Sequence, residues 1–280
     1  MSRHIVLVHG AWVTPDFWDA LRRRFEAAGF AVHTPAWPGL PPFGSGEEAA
    51  AAFRAAPPPA FGRLGVGDIA DAHEDFIRRL GGSPILIGHS FGGLLVQLLL
   101  DRGVGAAGVA LNPAPIRGAI PGPTALRAIA PIVLRPNGWK RPYAFSRARF
   151  GRLFANAAPP DLVDEAFARF VIPAPGRIFH QAALGLQTRV RPERRTQPLL
   201  ISGGDADRLI SPRLSRAAFA IQRDAPGRTD YVCFPGRSHF LTHEPGWEEV
   251  AGTMLDWIRR LPEPATAPVA PATPAAAVAA

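Results

Sequence analysis

The chain has 280 residues, 47% of them hydrophobic, which suffices for one sizeable core and makes two independent domains unnecessary. Its formal net charge is +8, but the arginines are scattered and form no long basic run, so we expect no nucleic-acid partner. A single cysteine, Cys233, excludes an intrachain disulfide. No signal-peptide pattern and no membrane-spanning apolar stretch is evident, which predicts a cytoplasmic protein without a membrane partner. The oligomeric state stays open.

Short apolar runs alternate with segments of helical periodicity in the first 112 residues. Four runs predict buried strands, at 5–8, 30–33, 84–88 and 109–111. Between them the sequence predicts a helix from Pro15 to about Ala28 with Thr14 as its N-cap. Further helices are predicted after Ser45, over 68–80 and over 91–102, the last apolar almost all round.

The alternation stops at residue 113 and resumes at 197. The segment 113–196 is rich in proline and arginine and contains several short helical patterns, which indicates an inserted helical cap. Strands at 199–201 and 231–234 follow it, with helices opening at Pro212 and covering 247–261. Residues 1–112 and 197–261 would form the core. Pro264, Pro268, Pro271 and Pro274 predict a disordered tail over 262–280.

Strands alternating with helices predict an α/β fold, with a mostly parallel, doubly wound sheet covered on both faces. Ligands of such sheets bind at the carboxyl ends of the strands. Residues that carry chemistry should therefore follow the predicted strands directly.

Ser90 is the candidate nucleophile, within Gly88-His89-Ser90-Phe91-Gly92 between a predicted strand and a predicted helix. A serine on so sharp a turn leaves little space for side chains two residues to either side, and glycines provide that space. N–H groups of the following helix would stabilise negative charge that develops during attack. The competing interpretation is an ordinary glycine-rich turn with an N-capping serine.

A serine hydroxyl needs a base, and the base needs an orienting acid. Two later strand ends supply candidates, Asp205 and Asp207 after the strand at 199–201 and His239 after the strand at 231–234. His239 and His243 have the i, i+4 spacing of a helical zinc site, but Phe240 stands where the metalloprotease pattern has glutamate. We therefore expect neither a metal nor a cofactor.

Four motifs occur in the expected order: His9-Gly10-Ala11-Trp12, the turn at Ser90, Gly203-Gly204-Asp205-Ala206-Asp207-Arg208, and Gly236-Arg237-Ser238-His239. On these motifs the chain resembles the α/β-hydrolase superfamily over most of residues 3–261. The spacing from His9-Gly10 to Trp18 is similar to that of small plant esterases and hydroxynitrile lyases.

The resemblance implies roles for individual residues. Asp207 lies three residues after Gly204 and is followed by Arg208, which matches the position of the catalytic acid in the family. One residue more than the family pattern separates Asp207 from Pro212, so Asp205 remains the alternative acid. Backbone N–H groups of Phe91 and Ala11 would form the oxyanion hole, with Trp12 as the alternative to Ala11. Trp12 and His243 are candidates to line the substrate pocket.

These residues predict a serine hydrolase that cleaves an ester or related acyl bond of a small, mainly apolar substrate through Ser90, His239 and Asp207. Serine at position 90 argues against haloalkane-dehalogenase and epoxide-hydrolase mechanisms. A hydroxynitrile lyase would have threonine in the first turn and lysine after the histidine, where this chain has Gly10 and Phe240. Three alternatives remain: a cofactor-free perhydrolase, a carbon–carbon bond hydrolase, and a small-molecule binding protein with little turnover.

Overall fold

The computed structural model of the chain describes residues 3–262. The predicted disordered tail lies outside these residues apart from Pro262. Within the described range, no helix combines the length and the apolar character needed to cross a bilayer.

Six parallel strands form the central sheet. Numbered in chain order, the strands of the molecule are β1 (His4–Val8), β2 (Ala31–His33), β3 (Ile85–His89), β4 (Ala107–Leu111), β5 (Pro142–Tyr143), β6 (Ala174–Pro175), β7 (Leu199–Gly204) and β8 (Thr229–Phe234). The sheet has the order β2-β1-β3-β4-β7-β8 with parallel pairing throughout, and β5 pairs with β6 in a separate antiparallel ladder. The predicted fold class is confirmed.

Within residues 3–262, ten α-helices connect and flank the strands. They are α1 (Asp19–Ala27), α2 (Gly46–Ala55), α3 (Val66–Leu80), α4 (Phe91–Asp101), α5 (Pro123–Val133), α6 (Arg147–Leu153), α7 (Pro160–Phe170), α8 (Gly176–Leu184), α9 (Pro212–Gln222) and α10 (Trp247–Arg259). Helix α4 packs on β3 and β4 and is buried along almost its whole length, as its apolar sequence predicts. Its one polar mid-helix side chain, Gln97, accepts a hydrogen bond from Gln222 at 3.2 Å.

Thr14 and Ser45 stand at the N-cap positions of their helices, as the sequence predicts, but neither side chain makes a capping hydrogen bond. The chain forms a 3-10 helix over Pro15–Trp18 before α1, and the side chain of Thr14 makes no capping bond. The backbone N–H of Thr14 instead donates to the carbonyl of Phe170, so this turn is held against the inserted segment. The hydroxyl of Ser45 donates to the carbonyl of Pro42 and accepts no hydrogen bond from the first turn of α2. Local side-chain bonds compete with capping for serine and threonine.

The segment 113–196 holds α5 to α8 and the β5–β6 ladder. It touches loops that follow three different strands of the sheet. Val13 after β1 bridges to Val171, the carbonyl of Ala206 after β7 accepts from Asn156 at 2.9 Å, and Ser238 after β8 donates to Phe154. These contacts support our proposal that 113–196 is a cap over the carboxyl edge of a core formed by 1–112 and 197–261.

Candidate active site

Ser90 lies on a strained turn between the end of β3 and the start of α4. Its backbone has φ +57° and ψ −120°, a region that residues with a side chain rarely occupy. A Cβ on Gly88 would lie 2.1 Å from the carbonyl oxygen of Gly92, and a Cβ on Gly92 would lie 1.9 Å from that of Val8. Only glycine fits at both positions, and the turn presents Ser90 at the carboxyl edge of the sheet.

The carboxylate of Asp207 lies 2.7 Å from Nδ1 of His239, and both side chains are fully buried. The same carboxylate oxygen accepts from Nδ2 of Asn112 at 2.7 Å. Its other oxygen accepts from the backbone N–H groups of Leu209 and Ile210, each at 2.8 Å. Four donors thus converge on Asp207 and give both of its carboxylate oxygens hydrogen-bond partners.

Asp205 faces away from this pair. Its side chain is exposed, and it accepts from the backbone N–H of Gly236 at 2.5 Å. The bond joins the turn after β7 to the turn after β8, which is a structural role. The geometry therefore favours Asp207 as the partner of His239.

Aromatic neighbours pack against the ring of His239, and a hydrogen bond to its backbone carbonyl fixes the loop that carries it. Phe154 meets it edge-on with ring centroids 4.7 Å apart, and His89 lies 4.5 Å away. Nε2 of His89 is 2.8 Å from the carbonyl of His239, which makes that nitrogen the protonated donor. Burial, followed by the charge of His239, holds the pKa of His89 well below its usual range. His89 is therefore a neutral support for the histidine loop.

Nε2 of His239 is buried and has no hydrogen-bond partner among residues 3–262. In this structure it makes no hydrogen bond to the hydroxyl of Ser90, although both residues line one cavity. Hydrogen bonds of this kind are commonly long in the absence of substrate and shorten in the complex. The cavity is thus where a hydroxyl, an imidazole and a reacting atom could meet.

The turn after β1 packs directly against Ser90. A Cβ on Gly10 would lie 2.9 Å from the Cβ of Ser90, so the following residue, Ala11, is next to the serine. His9 fixes the turn, since its Nδ1 contacts the carbonyl of Gly10 at 2.9 Å and its Nε2 accepts from the backbone of Trp37 at 3.3 Å. Burial lowers the pKa of His9 to about 3, so His9 is a neutral structural residue of this turn.

Trp12 also has a left-handed backbone, with φ +69°. Its indole stacks between Phe145 and Phe179, at centroid distances of 4.0 and 4.6 Å, and donates to the carbonyl of Tyr143 at 3.2 Å. No backbone acceptor is found for the N–H of Ala11 or of Trp12 in the described part of the chain. Because Phe91 is the first residue of α4, its N–H lacks an intrahelical acceptor as well.

The cavity beside Ser90 is narrow, with a volume of about 50 Å³, and almost wholly apolar. Trp12 lines it. Just over half of its lining residues come from the inserted segment, and five of these lie on α5 and α8: Ala125, Ile129, Phe179, Ala182 and Ala183. The loop after Asp207 adds Leu209 and Ile210, which donate to the carboxylate through their backbone and close the wall with their side chains.

The structure does not bring His243 to this cavity. The ring of His243 packs against Phe17 and Phe240, with centroids 4.4 and 4.5 Å away, and its Nδ1 bonds to the hydroxyl of Thr242. Within residues 3–262, no three His, Cys, Asp or Glu side chains are arranged to hold a metal ion.

Two supporting residues were missed in the sequence. Asn112 follows β4 directly, so the rule that located the other candidates, a polar residue just after a strand, could have found it. Glu244 is buried and accepts from the backbone N–H of Ser238 at 3.1 Å, which braces the histidine loop. Burial raises the pKa of Glu244. No sequence pattern marks it.

Comparison with known families agrees with this architecture. The model of the Alpha/beta hydrolase family matches residues 5–253. The chain belongs to the alpha/beta hydrolase family. A search of curated proteins finds no match to this alpha/beta hydrolase.

Solved structures with the same alpha/beta hydrolase fold include three that cover most of the chain. A monoacylglycerol lipase from Paleococcus ferrophilus has a TM-score of 0.63 and 23% identity, over 91% of this chain and 93% of its own. A thermophilic esterase from Thermogutta terrifontis has a TM-score of 0.64 and 19% identity, over 92% and 90%. A methylesterase from Arabidopsis has a TM-score of 0.63 and 17% identity, over 92% and 100%. At these identities the likeness concerns the fold.

Proposed function

We propose that this protein is a serine hydrolase that cleaves an ester or related acyl bond of a small, mainly apolar substrate. The observation that carries the proposal is the meeting of strained Ser90 and the Asp207–His239 pair at one apolar cavity. A buried imidazole with a free Nε2 and an oriented Nδ1 is suited to take a proton from a serine hydroxyl.

In the proposed reaction, Oγ of Ser90 attacks the acyl carbonyl carbon while Nε2 of His239 takes its proton. Asp207 stabilises the resulting imidazolium and fixes its orientation. N–H groups of Ala11 and Phe91 would hold the oxyanion, with Trp12 as the alternative donor. The tetrahedral intermediate then expels the alcohol, which receives the proton from His239. Water, deprotonated by His239, attacks the acyl-enzyme and releases the acid and Ser90.

The apolar wall built by α5 and α8 favours an acyl or alcohol group without charge. Because the cavity is narrow, we expect p-nitrophenyl esters of short acids to be hydrolysed faster than those of long ones. The acyl chain length of the ester with the highest kcat/KM indicates how large a group the cavity accommodates.

The test is labelling by a fluorophosphonate probe together with turnover of p-nitrophenyl esters, in the wild type, Ser90→Ala and a matched control. Ser83 is exposed and lies before β3, so Ser83→Ala is that control. We expect labelling and turnover to vanish together in Ser90→Ala and to persist in Ser83→Ala. Turnover that survives Ser90→Ala contradicts the proposal, and the absence of both signals in the wild type favours a small-molecule binding protein. A perhydrolase would use the same residues. Formation of a peracid from hydrogen peroxide and a carboxylic acid would distinguish a perhydrolase from an esterase.

A further inference from the structure

Among residues 3–262, the large apolar side chains that are exposed all lie in the inserted segment. Six large apolar side chains are at least half exposed within residues 3–262, and Ile120 and Leu184 reach 81% and 70%. All six lie between residues 113 and 196: Ile120, Leu126, Leu134, Trp139, Leu184 and Leu186. Single exposed apolar residues are normal on any protein, but their restriction to one segment indicates a surface with a partner.

These side chains lie on the two helices that line the cavity, α5 and α8, and on the segments next to them in the chain. Ile120, Leu126 and Leu184 are each the chain neighbour of a cavity-lining residue. Helix α5 packs against α8. The stretch before α5 meets the end of α8, since the side chain of Arg117 lies next to Gly185 and its backbone N–H donates to the carbonyl of Thr188. We call the six apolar residues and the surface they share the mouth face.

The same segment carries the positive charge of the protein. Residues 113–196 contain 14 basic and 4 acidic side chains, a net charge of +10, so the rest of the chain is slightly negative. Seven of these cations are exposed and have no acidic partner in the described part of the chain. Five of the seven are close in the chain to a residue of the mouth face: Arg117, Arg127, Lys140, Arg141 and Arg189. The other two are Arg152 and Arg194.

We propose that the mouth face docks on an anionic lipid surface. Apolar side chains that enter the boundary between headgroups and acyl chains, surrounded by cations that pair with anionic headgroups, are the two components of interfacial binding. A second copy of this chain would bring two positive faces together, which Coulomb repulsion opposes. A nucleic acid would use the cations but leave the exposed leucines without a partner.

This proposal departs from the expectation, drawn from the sequence, of a protein without a membrane partner. That expectation rested on the absence of an apolar span and of a basic run. Docking needs neither, because the packing of α5 on α8 and the contact of Arg117 with the end of α8 bring together segments whose cations and leucines are dispersed in the sequence. The cavity beside Ser90 would then open toward the lipid.

The test is co-sedimentation of the full chain with vesicles of phosphatidylcholine alone and of phosphatidylcholine with 30% phosphatidylglycerol. We expect binding to the anionic vesicles that weakens in high salt, and much weaker binding to the neutral ones. Ser90→Ala should bind as the wild type does, so failure of the docking proposal can be told apart from failure of the proposed hydrolase function.

Two variants and one control locate the surface. Ile120→Ser with Leu184→Ser removes two exposed apolar side chains and should weaken binding about tenfold or more. Arg127→Gln, Lys140→Gln and Arg189→Gln together should weaken binding by on the order of a hundredfold, about fivefold for each charge.

The control is Arg24→Gln, Arg79→Gln and Arg260→Gln, three exposed arginines at the carboxyl ends of α1, α3 and α10. These helix ends lie toward the opposite edge of a parallel sheet, so the control should keep wild-type binding. Circular dichroism verifies that every variant is folded. No binding of the wild type to anionic vesicles, or equal loss in the control, overturns the proposal. A dimer that disappears in the Ile120→Ser, Leu184→Ser variant also overturns it, in favour of self-association.

Discussion

Replacing Asp207 by asparagine should separate the two candidate acids. All four partners of Asp207 are donors: Nδ1 of His239, Nδ2 of Asn112, and the N–H groups of Leu209 and Ile210. An amide has only one oxygen, so in either orientation its NH2 group faces two of these donors.

Each orientation has a distinct cost. If the NH2 group faces Leu209 and Ile210, two buried N–H groups lose their acceptor, at about 1–3 kcal/mol each. If it faces His239, Nδ1 must give up its proton and Nε2 must carry it, so Nε2 can no longer accept the proton of Ser90. We therefore expect Asp207→Asn to lower kcat/KM by roughly 10³–10⁴, and to lower the free energy of unfolding by about 2 kcal/mol or more.

The matched control is Asp205→Asn. Asp205 is exposed, and among residues 3–262 its side chain accepts only the hydrogen bond from the N–H of Gly236, which an amide oxygen can also accept. The kcat/KM of Asp205→Asn on the best p-nitrophenyl ester should stay within a few-fold of the wild-type value. Urea denaturation of both variants measures their free energies of unfolding. If Asp205→Asn loses the activity and Asp207→Asn keeps it, the assignment of the acid is refuted.

Four further outcomes follow from the geometry. Gly92→Ala should abolish soluble expression or destabilise the protein by more than about 3 kcal/mol, because its Cβ would overlap the carbonyl of Val8; thermal unfolding measures this. Ser90→Gly should be inactive yet more stable than Ser90→Ala by about 1–2 kcal/mol, since glycine removes the strain at φ +57°; equal stability would argue against strain. Asn112→Ala should lower kcat/KM by about 10–100-fold through loss of one charged hydrogen bond to the acid, and unchanged kinetics would contradict that role. Burial lowers the pKa of His73 to about 4, so the unfolded chain binds the extra proton, and His73 contributes a fall in stability of about 3 kcal/mol as pH drops from 6.5 toward 4. Because burial lowers the pKa of His9, His89 and His243 as well, His73→Leu should lessen the slope of the urea-denaturation pH profile in this range by about one proton without abolishing it.

The buried strands and the order of the site motifs could be predicted because each depends on local chemistry. Continuous apolar runs such as 5–8 and 84–88 are what a parallel sheet covered on both faces requires. The turn at Ser90 was predictable because only glycine tolerates the contacts of Gly88 and Gly92.

What could not be predicted depends on distant partners. Thr14 has the residue type of a cap, but its backbone pairs with Phe170, 156 positions away. Strand β7 continues three residues past its apolar run, because Gly204 pairs with Phe234 of β8. The roles of Asp205 and Asp207 were open in the sequence, and the four donors around Asp207 come from three separate regions of the chain.

The anchoring of Trp12 limits how this enzyme scaffold could be re-engineered. Its indole is clamped by Phe145, Phe179 and the carbonyl of Tyr143, and its own carbonyl accepts from Ile172, all in the inserted segment. A chimera that exchanges 113–196 for the insertion of a relative would remove every one of these supports at once. The left-handed backbone at Trp12 would then be free to relax, and the neighbouring N–H of Ala11 would turn with it. Transplanting a new pocket onto this core therefore requires co-transplanting the turn after β1.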